Sequence, residues 1–266
     1  MARSLRGTPS QGLWGATLGF FFGFAAVALF GPTAARFQQV MGLSPMAVGF
    51  LVAMPSLSGS LLRIPFAAWV ETTGGRKPFL VLLGLSSIGM AGLTAVAVWI
   101  YPDSLTAAWY PALLALGMLC GCGIATFSVG ISQVSYWHRQ RQQGRALALF
   151  GGLGNVAPGI FTLVLPFALG QWGLATSYVA WFVMLLAGTA LYAFMGRNSW
   201  YFQLRSQGVS DAEARREATA LGQELFPARN LIESLRESAH NPKTWALVFI
   251  YFTTFGGFIA LTAWLP

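Results

Sequence analysis

Apolar runs of bilayer length alternate with short polar breaks along nearly the whole chain. A hydrocarbon core of ~30 Å takes about 20 helical residues. On that length the pattern predicts membrane helices over 13–34, 46–70, 79–100, 107–134, 146–169, 176–196 and 244–265. The first run is longer than a signal-peptide core and is read as a retained helix. Polar breaks fall at 36–45, 71–78, around Asp103 and at 138–145, and Pro111 starts or kinks the fourth span. The long break, 197–243, contains Ser210 with Glu213, a capping-box spacing that predicts a helix to about Leu225. A second amphipathic piece, 230–239, puts Leu231, Ile232 and Leu235 on one face. The whole segment reads as a solvated helical linker lying at the membrane surface.

Composition narrows the class to an integral membrane protein. The 266 residues are 55% hydrophobic and 9% charged, with mean hydropathy +0.60, whereas soluble domains carry about 25% charged residues. The net charge of +8 is not a nucleic-acid footprint, because the cations lie in alternate loops and not on one face. Arg3, Arg6, Arg76, Lys77, Arg139, Arg141 and Arg145 share one side with the linker, and the opposite loops hold only Arg36 and Asp103. Positive charge inside therefore predicts a cytoplasmic N-terminus. Domain boundaries follow: a six-helix bundle over 1–196 built from two inverted three-helix repeats, a cytoplasmic amphipathic linker over 197–243, and a seventh helix over 244–266. Six spans, a linker and then a further span is the rhythm of a carrier with two six-helix halves.

Arg63 is the residue this pattern leaves unexplained. It is the one charge inside a predicted span, and an intramembrane charge costs at least a few kcal/mol, which marks a functional anion site. Apolar residues 64–70 separate it from the polar end at Glu71, which argues against snorkelling, and no predicted span offers a carboxylate. If the repeats are inverted, helices two and five are equivalent, and Asn155 lies at a depth comparable to Arg63, so the two side chains are expected to converge on one small ligand.

Ala148, Gly152, Asn155 and Gly159 form a small-residue face on helix five, as Gly117, Gly121, Ser128 and Ser132 do on helix four. Such faces permit close helix approach in membranes. The run 151–155 is not a phosphate loop, since it lies within an apolar span and lacks the Lys-Ser/Thr ending. The aromatic cluster 20–24 and the pair Cys120/Cys122 read as packing. The spans offer neither paired carboxylates nor His/Cys groupings, so no enzyme, catalytic residue, metal or cofactor is expected.

The segments 55–65 (PSLSGSLLRIP), 151–155 (GGLGN) and 251–259 (YFTTFGGFI) resemble the nitrate/nitrite porters of the major facilitator superfamily. Residues 71–77 resemble that superfamily's basic turn between helices two and three, with Thr72 and the double glycine departing from it. The resemblance covers the chain but only about the first half of a full porter, and implies an all-α, major facilitator-type N-terminal bundle plus one further helix, apparently truncated. It implies that Arg63 contacts the anion, that Asn155 donates a hydrogen bond to it, and that Phe127, Tyr251 and Phe255 wall the site. Gly151, Gly152, Gly154 and Gly159 become helix-packing signature positions. The implied function is secondary transport of nitrate and/or nitrite across a bacterial-type inner membrane by alternating access. The ligand is then nitrate or nitrite and the surroundings a lipid bilayer. Protons or a counter-anion, and a separately encoded C-terminal half, stay open as partners. The alternatives are a carrier of another small anion and a half porter without transport activity alone.

Overall fold

A computed structural model describes residues 4–228, 236 and 239–264. Helix α1 (Pro9–Ala25) passes through a 3₁₀ turn (Ala26–Leu29) into α2 (Phe30–Met41). The first span therefore runs past its predicted end, and Arg36 is helical instead of lying in a loop. Gly42, with φ 64°, ends α2, and the Ser44 side chain accepts from the Ala47 amide to start α3 (Pro45–Leu61). Leu62 then interrupts the second span, and α4 (Arg63–Thr73) follows. Pro65 explains the interruption: it has no N–H for the Leu61 carbonyl, and it is tolerated in the first turn of the new helix.

The basic turn narrows to Gly74 and Gly75, with Gly74 at φ 77°. Glu71 lies in the last turn of α4, and Arg76 and Lys77 open α5 (Arg76–Ala95), which continues through a π turn to Ile100. Helix α6 (Tyr110–Trp137) is preceded by a 3₁₀ turn at Ala107–Trp109. The predicted connection 138–145 reduces to His138 and Arg139, because α7 (Gln140–Met195) already includes Arg141 and Arg145. At ~1.5 Å per residue a straight 56-residue helix would be ~84 Å long, more than twice the hydrocarbon core. Gly173, at φ 73° and ψ −179°, divides it into the fifth and sixth passes. The stretches 45–73, 76–100, 107–137 and 140–195 are long and apolar enough to cross a membrane. Helix α10 (Pro242–Trp264), where the sequence predicts the seventh pass, touches the bundle along α2 and α7.

Helix α6 is the central post, packed against α1, α3 and α5. A methyl group on Gly59 would come 2.6 Å from the Gly121 carbonyl oxygen, so α3 and α6 touch backbone to backbone there. Short hydroxyl bonds reinforce the approach: Ser58 donates to the Met118 carbonyl and Ser86 to that of Cys120, each at 2.7 Å. Such bonds contribute about 0.6 kcal/mol on average in membranes, so the packing around them dominates. Cys120 and Cys122 are buried within this packing and are not joined in a disulfide.

The long break folds back onto the bundle and is not a solvated linker up to residue 228. It forms α8 (Trp200–Ser206) and α9 (Asp211–Ala220), which buries Ala214 and Ala218. The Ser210 hydroxyl accepts from the Glu213 amide, as the capping box requires, but the helix ends before the expected Leu225. Tyr201, Phe202, Leu204 and Val209 are buried, and buried Gln223 accepts from the Tyr201 amide and donates to the Leu225 carbonyl. Glu71 ties this cap to the spans: one carboxylate oxygen accepts from the Tyr136 hydroxyl, the other from the Ala228 amide at 2.9 Å. Sequence periodicity missed the docking because its contacts join residues far apart in the chain. The second amphipathic piece, 230–239, lies almost wholly outside the described residues.

Two outcomes follow. Gly121→Leu places a side chain into the Pro55 carbonyl and the Ser58 hydroxyl, and should destabilise the bundle by about 1–3 kcal/mol, read as a lowered unfolding midpoint in detergent. In the cap, the Tyr201 hydroxyl, and then Arg215 at 3.0 Å, hold Asp211 below its ordinary 3.8. A depressed carboxylate stabilises the fold above that ordinary value and loses its contribution as pH falls through the folded value. The hydrogen-exchange protection of 200–228, corrected for the intrinsic pH dependence of amide exchange, should therefore fall on acidification below about pH 4, and Asp211→Asn should show the lowered protection already at neutral pH.

Candidate functional site

Arg63 opens α4 at the break in the second pass, and three aromatic side chains from two other helices meet it. Its guanidinium carbon lies 5.3 Å from the Phe127 ring centroid and 5.4 Å from that of Phe255. Phe127 comes from α6, Tyr251 and Phe255 from α10 one helical turn apart. Their rings are nearly parallel: Tyr251 and Phe255 lie 5.0 Å apart at 10°, and Phe127 lies 6.4 Å from Phe255 at 13°. The negative faces of these rings attract a cation, worth about 0.5–2 kcal/mol per pair.

That attraction does not neutralise the charge. The Tyr251 hydroxyl is the one hydrogen-bond partner of the Arg63 side chain among the described residues, at a long 3.4 Å from Nη1. Arg63 Nε is buried with no partner, and Arg63 has no ion pair among the described residues. A half-buried guanidinium so placed retains capacity for an anion, and its planar donors suit a carboxylate-like or nitrate-like edge.

A cavity of about 360 Å³ opens beside it, lined by Ser56, Ser60, Arg63, Ile124, Tyr251 and Phe255 among others. Ser56 and Ser60 were not singled out from the sequence. Their spacing from Arg63, seven and three residues back, is the signal that places all three on one helical face.

Asn155 stands in the fifth pass and lines a neighbouring cavity of about 310 Å³ with Gly152, Thr254 and Phe258. Tyr251 and Phe255 line both cavities. The structure thus gathers Arg63, Phe127, Tyr251 and Phe255 into one cluster and sets Asn155 across the shared aromatic wall. The Asn155 amide donates to the Gly151 carbonyl at 2.7 Å, and its Oδ1 is buried without a partner.

Gly154 alone of the four signature glycines makes a tight contact: any side chain there would strike the Phe20 ring. Phe20 in turn packs on Phe127 at 5.2 Å and on Phe150 at 5.4 Å, so it backs the aromatic wall instead of facing a ligand. A methyl on Gly151 would meet Phe127 at an ordinary 3.8 Å, while at Gly152 and Gly159 it would meet nothing within 4 Å. The small-residue face of helix five is therefore an open surface among the described residues and not a packed seam. The reason is its direction, toward the Asn155 cavity and away from α1.

A family profile described as Major Facilitator Superfamily matches residues 16–266. Among individual proteins, the sequence is 29% identical to the probable nitrate/nitrite transporter NarK2 of Mycobacterium tuberculosis, over 91% of this chain and 54% of that one. It is 28% identical to the probable nitrate/nitrite antiporter NarK1 of Thermus thermophilus, over 96% and 52%. With the nitrate/nitrite transporter NarU of Salmonella typhimurium the identity is 26%, over 97% and 53%. The chain spans about half the length of the curated relatives it matches. These likenesses point to a transporter and not to an enzyme.

The cluster makes a direct prediction. A double-mutant cycle of Phe127→Ala and Arg63→Met, followed by thermal unfolding, should give a coupling of roughly 0.5–2 kcal/mol. Strictly additive effects would show that the ring does not hold the guanidinium.

Proposed function

Because the chain belongs to the major facilitator superfamily, we propose that it forms the Arg63-bearing wall of a secondary carrier for nitrate and/or nitrite that works by alternating access. The single observation that carries this reading is Arg63: a guanidinium amid apolar passes, flanked by aromatic faces, without a carboxylate partner among the described residues and opening on a cavity. The names of the relatives supply the anion.

The chemistry fits a small flat monoanion. The ring faces repel negative charge and already hold the cation, so the anion meets the guanidinium edge and the Tyr251 hydroxyl. Water exclusion by the rings strengthens that contact, because fewer solvent dipoles compete. An edge-on nitrate or nitrite takes two parallel N–H donors from one arginine. A tetrahedral, more heavily charged ion such as phosphate would need further donors or cations to replace its hydration. Asn155 is assigned the second contact, reached once the aromatic wall of Tyr251 and Phe255 shifts. The face of helix five around Gly152 has the space for such a shift.

In this reading residues 1–196 form the six-helix bundle, 197–243 the cytoplasmic connection and 244–266 the seventh pass. The membrane is the bacterial-type inner membrane, with the N-terminus in the cytoplasm, on the distribution of basic residues. Exchange of nitrate for nitrite requires no carboxylate proton carrier, and none lies beside Arg63 among the described residues.

Proteoliposomes carrying the assembled porter should show nitrite uptake against preloaded nitrate, competed by both anions and not by acetate. Arg63→Lys should lower that exchange at least ~10-fold, the equivalent of about 1.4 kcal/mol, because one ammonium cannot reproduce the planar fork. Near-normal exchange by this variant would sink the assignment.

A further inference from the structure

A second cationic cavity lies at the basic end of the bundle, beyond the far end of α4 from Arg63, and shares no lining residue with the Arg63 cavity. It encloses about 510 Å³ between the first turn of α5 and the turn after α7, lined by Thr73, Arg76, Lys77, Leu80, Val81 and Asn198. We propose that this cavity binds the phosphate of an anionic phospholipid, with one acyl chain running down the exposed face of α5.

The polar groups lining it are accounted for, except the cations. Asn198 uses both ends of its amide, accepting from the Arg76 amide and donating to the Thr73 carbonyl, each at 2.9 Å. The Thr73 hydroxyl donates to the Trp69 carbonyl at 3.3 Å. Arg76 donates one guanidinium N–H to the Ala193 carbonyl at 3.0 Å, which pins its head beside the cavity, while its Nε has no partner. The Lys77 ammonium is exposed, 5.7 Å from the Trp69 ring centroid. Neither cation has an ion pair among the described residues, and Glu71 is already engaged by Tyr136 and Ala228. Two uncompensated positive charges in one recess call for an anion.

The surface below the cations separates a lipid from a free ion. Positions 77, 81, 84 and 88 follow four-, three- and four-residue steps, so they form one stripe along α5. Val81 is half-buried, a side chain on Gly84 would meet nothing within 4 Å, and Ile88 is 60% exposed. The stripe is thus cationic at its end, apolar below, and hollowed at Gly84. A phospholipid presents those same features in that order: an anionic phosphate at the interface, then hydrocarbon. Trp69 beside Lys77 is the ring type that sits at headgroup level, and basic recesses between membrane helices suit anionic headgroups. Inorganic phosphate would use the two cations and leave the trough idle.

The test is lipid affinity of the whole chain, by native mass spectrometry and by thermal unfolding in nanodiscs. The probes are phosphatidylglycerol, phosphatidylcholine and inorganic phosphate. Phosphatidylglycerol should bind in preference to phosphatidylcholine and raise the unfolding midpoint. At about 1 kcal/mol per basic residue near an anionic surface, Arg76→Gln with Lys77→Gln should weaken phosphatidylglycerol roughly thirtyfold and leave phosphatidylcholine unchanged. Gly84→Leu alters no charge and points into open space, so it keeps the test alive if the double variant fails to fold. It should weaken phosphatidylglycerol severalfold by filling the trough. The pair Arg139→Gln with Arg141→Gln, basic residues at a different cavity, should have little effect. Equal phosphatidylglycerol affinity in wild type, the double variant and Gly84→Leu would overturn the site. Matching stabilisation by inorganic phosphate, insensitive to Gly84→Leu, would overturn the lipid and leave a free-anion site.

Discussion

A guanidinium held among apolar helices, with no carboxylate paired to it among the described residues, is the constraint around which this protein is arranged. Removing a charge from water costs several kcal/mol unless something replaces the lost solvation. Here the replacement is incomplete by construction: two ring faces, one distant hydroxyl, and an open cavity. A carboxylate in the same position would have completed it and closed the site to any ligand. The Leu62 break, fixed by Pro65, makes Arg63 the first residue of a short helix, whose far end is anchored through Glu71 to α6 and to the cap.

Rigid and open surfaces are divided between opposite sides of the central helix. Toward α1, α3 and α5, α6 packs at backbone distance, with Gly121 against Gly59 and hydroxyl bonds across the seam. Toward α10 and the fifth pass it presents Phe127, and the neighbouring surfaces carry both cavities and the uncrowded glycines 152 and 159. Phe20 of α1 and Phe150 of the fifth pass, both buried, pack together behind Phe127 and stiffen the wall. A carrier needs that contrast, with a fixed part to hold the ligand contact in place and a loosely packed part to move against it.

How much of this was legible in the sequence depends on the range of the signal. The passes could be read because each is a local run of apolar residues, and Arg63 stood out because charge is rare in such runs. Their boundaries were misplaced wherever the helix outran its hydrophobic stretch, as at Arg36 and Arg145, since hydropathy marks burial in lipid and not the end of a backbone hydrogen-bond ladder. The capped helix α9 could be read from Ser210 and Glu213, but the docking of the cap could not: the bonds of Glu71 to Tyr136 and Ala228, or of Gln223 to Tyr201, join partners that no periodicity relates. Ser56 and Ser60 were within reach, on the face of Arg63 and two turns and one turn away. The small-residue face of helix five was visible, but whether such a face packs or lines a cavity depends on its direction, which sequence does not carry.

Whether Arg63 receives a small planar anion is tested most directly by ligand-dependent unfolding in nanodiscs. A ligand that binds only the folded state stabilises it by RT ln(1 + [L]/Kd), so nitrate should raise the unfolding midpoint along a saturating curve. Equimolar phosphate should not, and Arg63→Gln should abolish the nitrate response while remaining folded. A saturating nitrate response of equal size in wild type and Arg63→Gln would contradict the account, because the anion would then bind without the charge that defines the site.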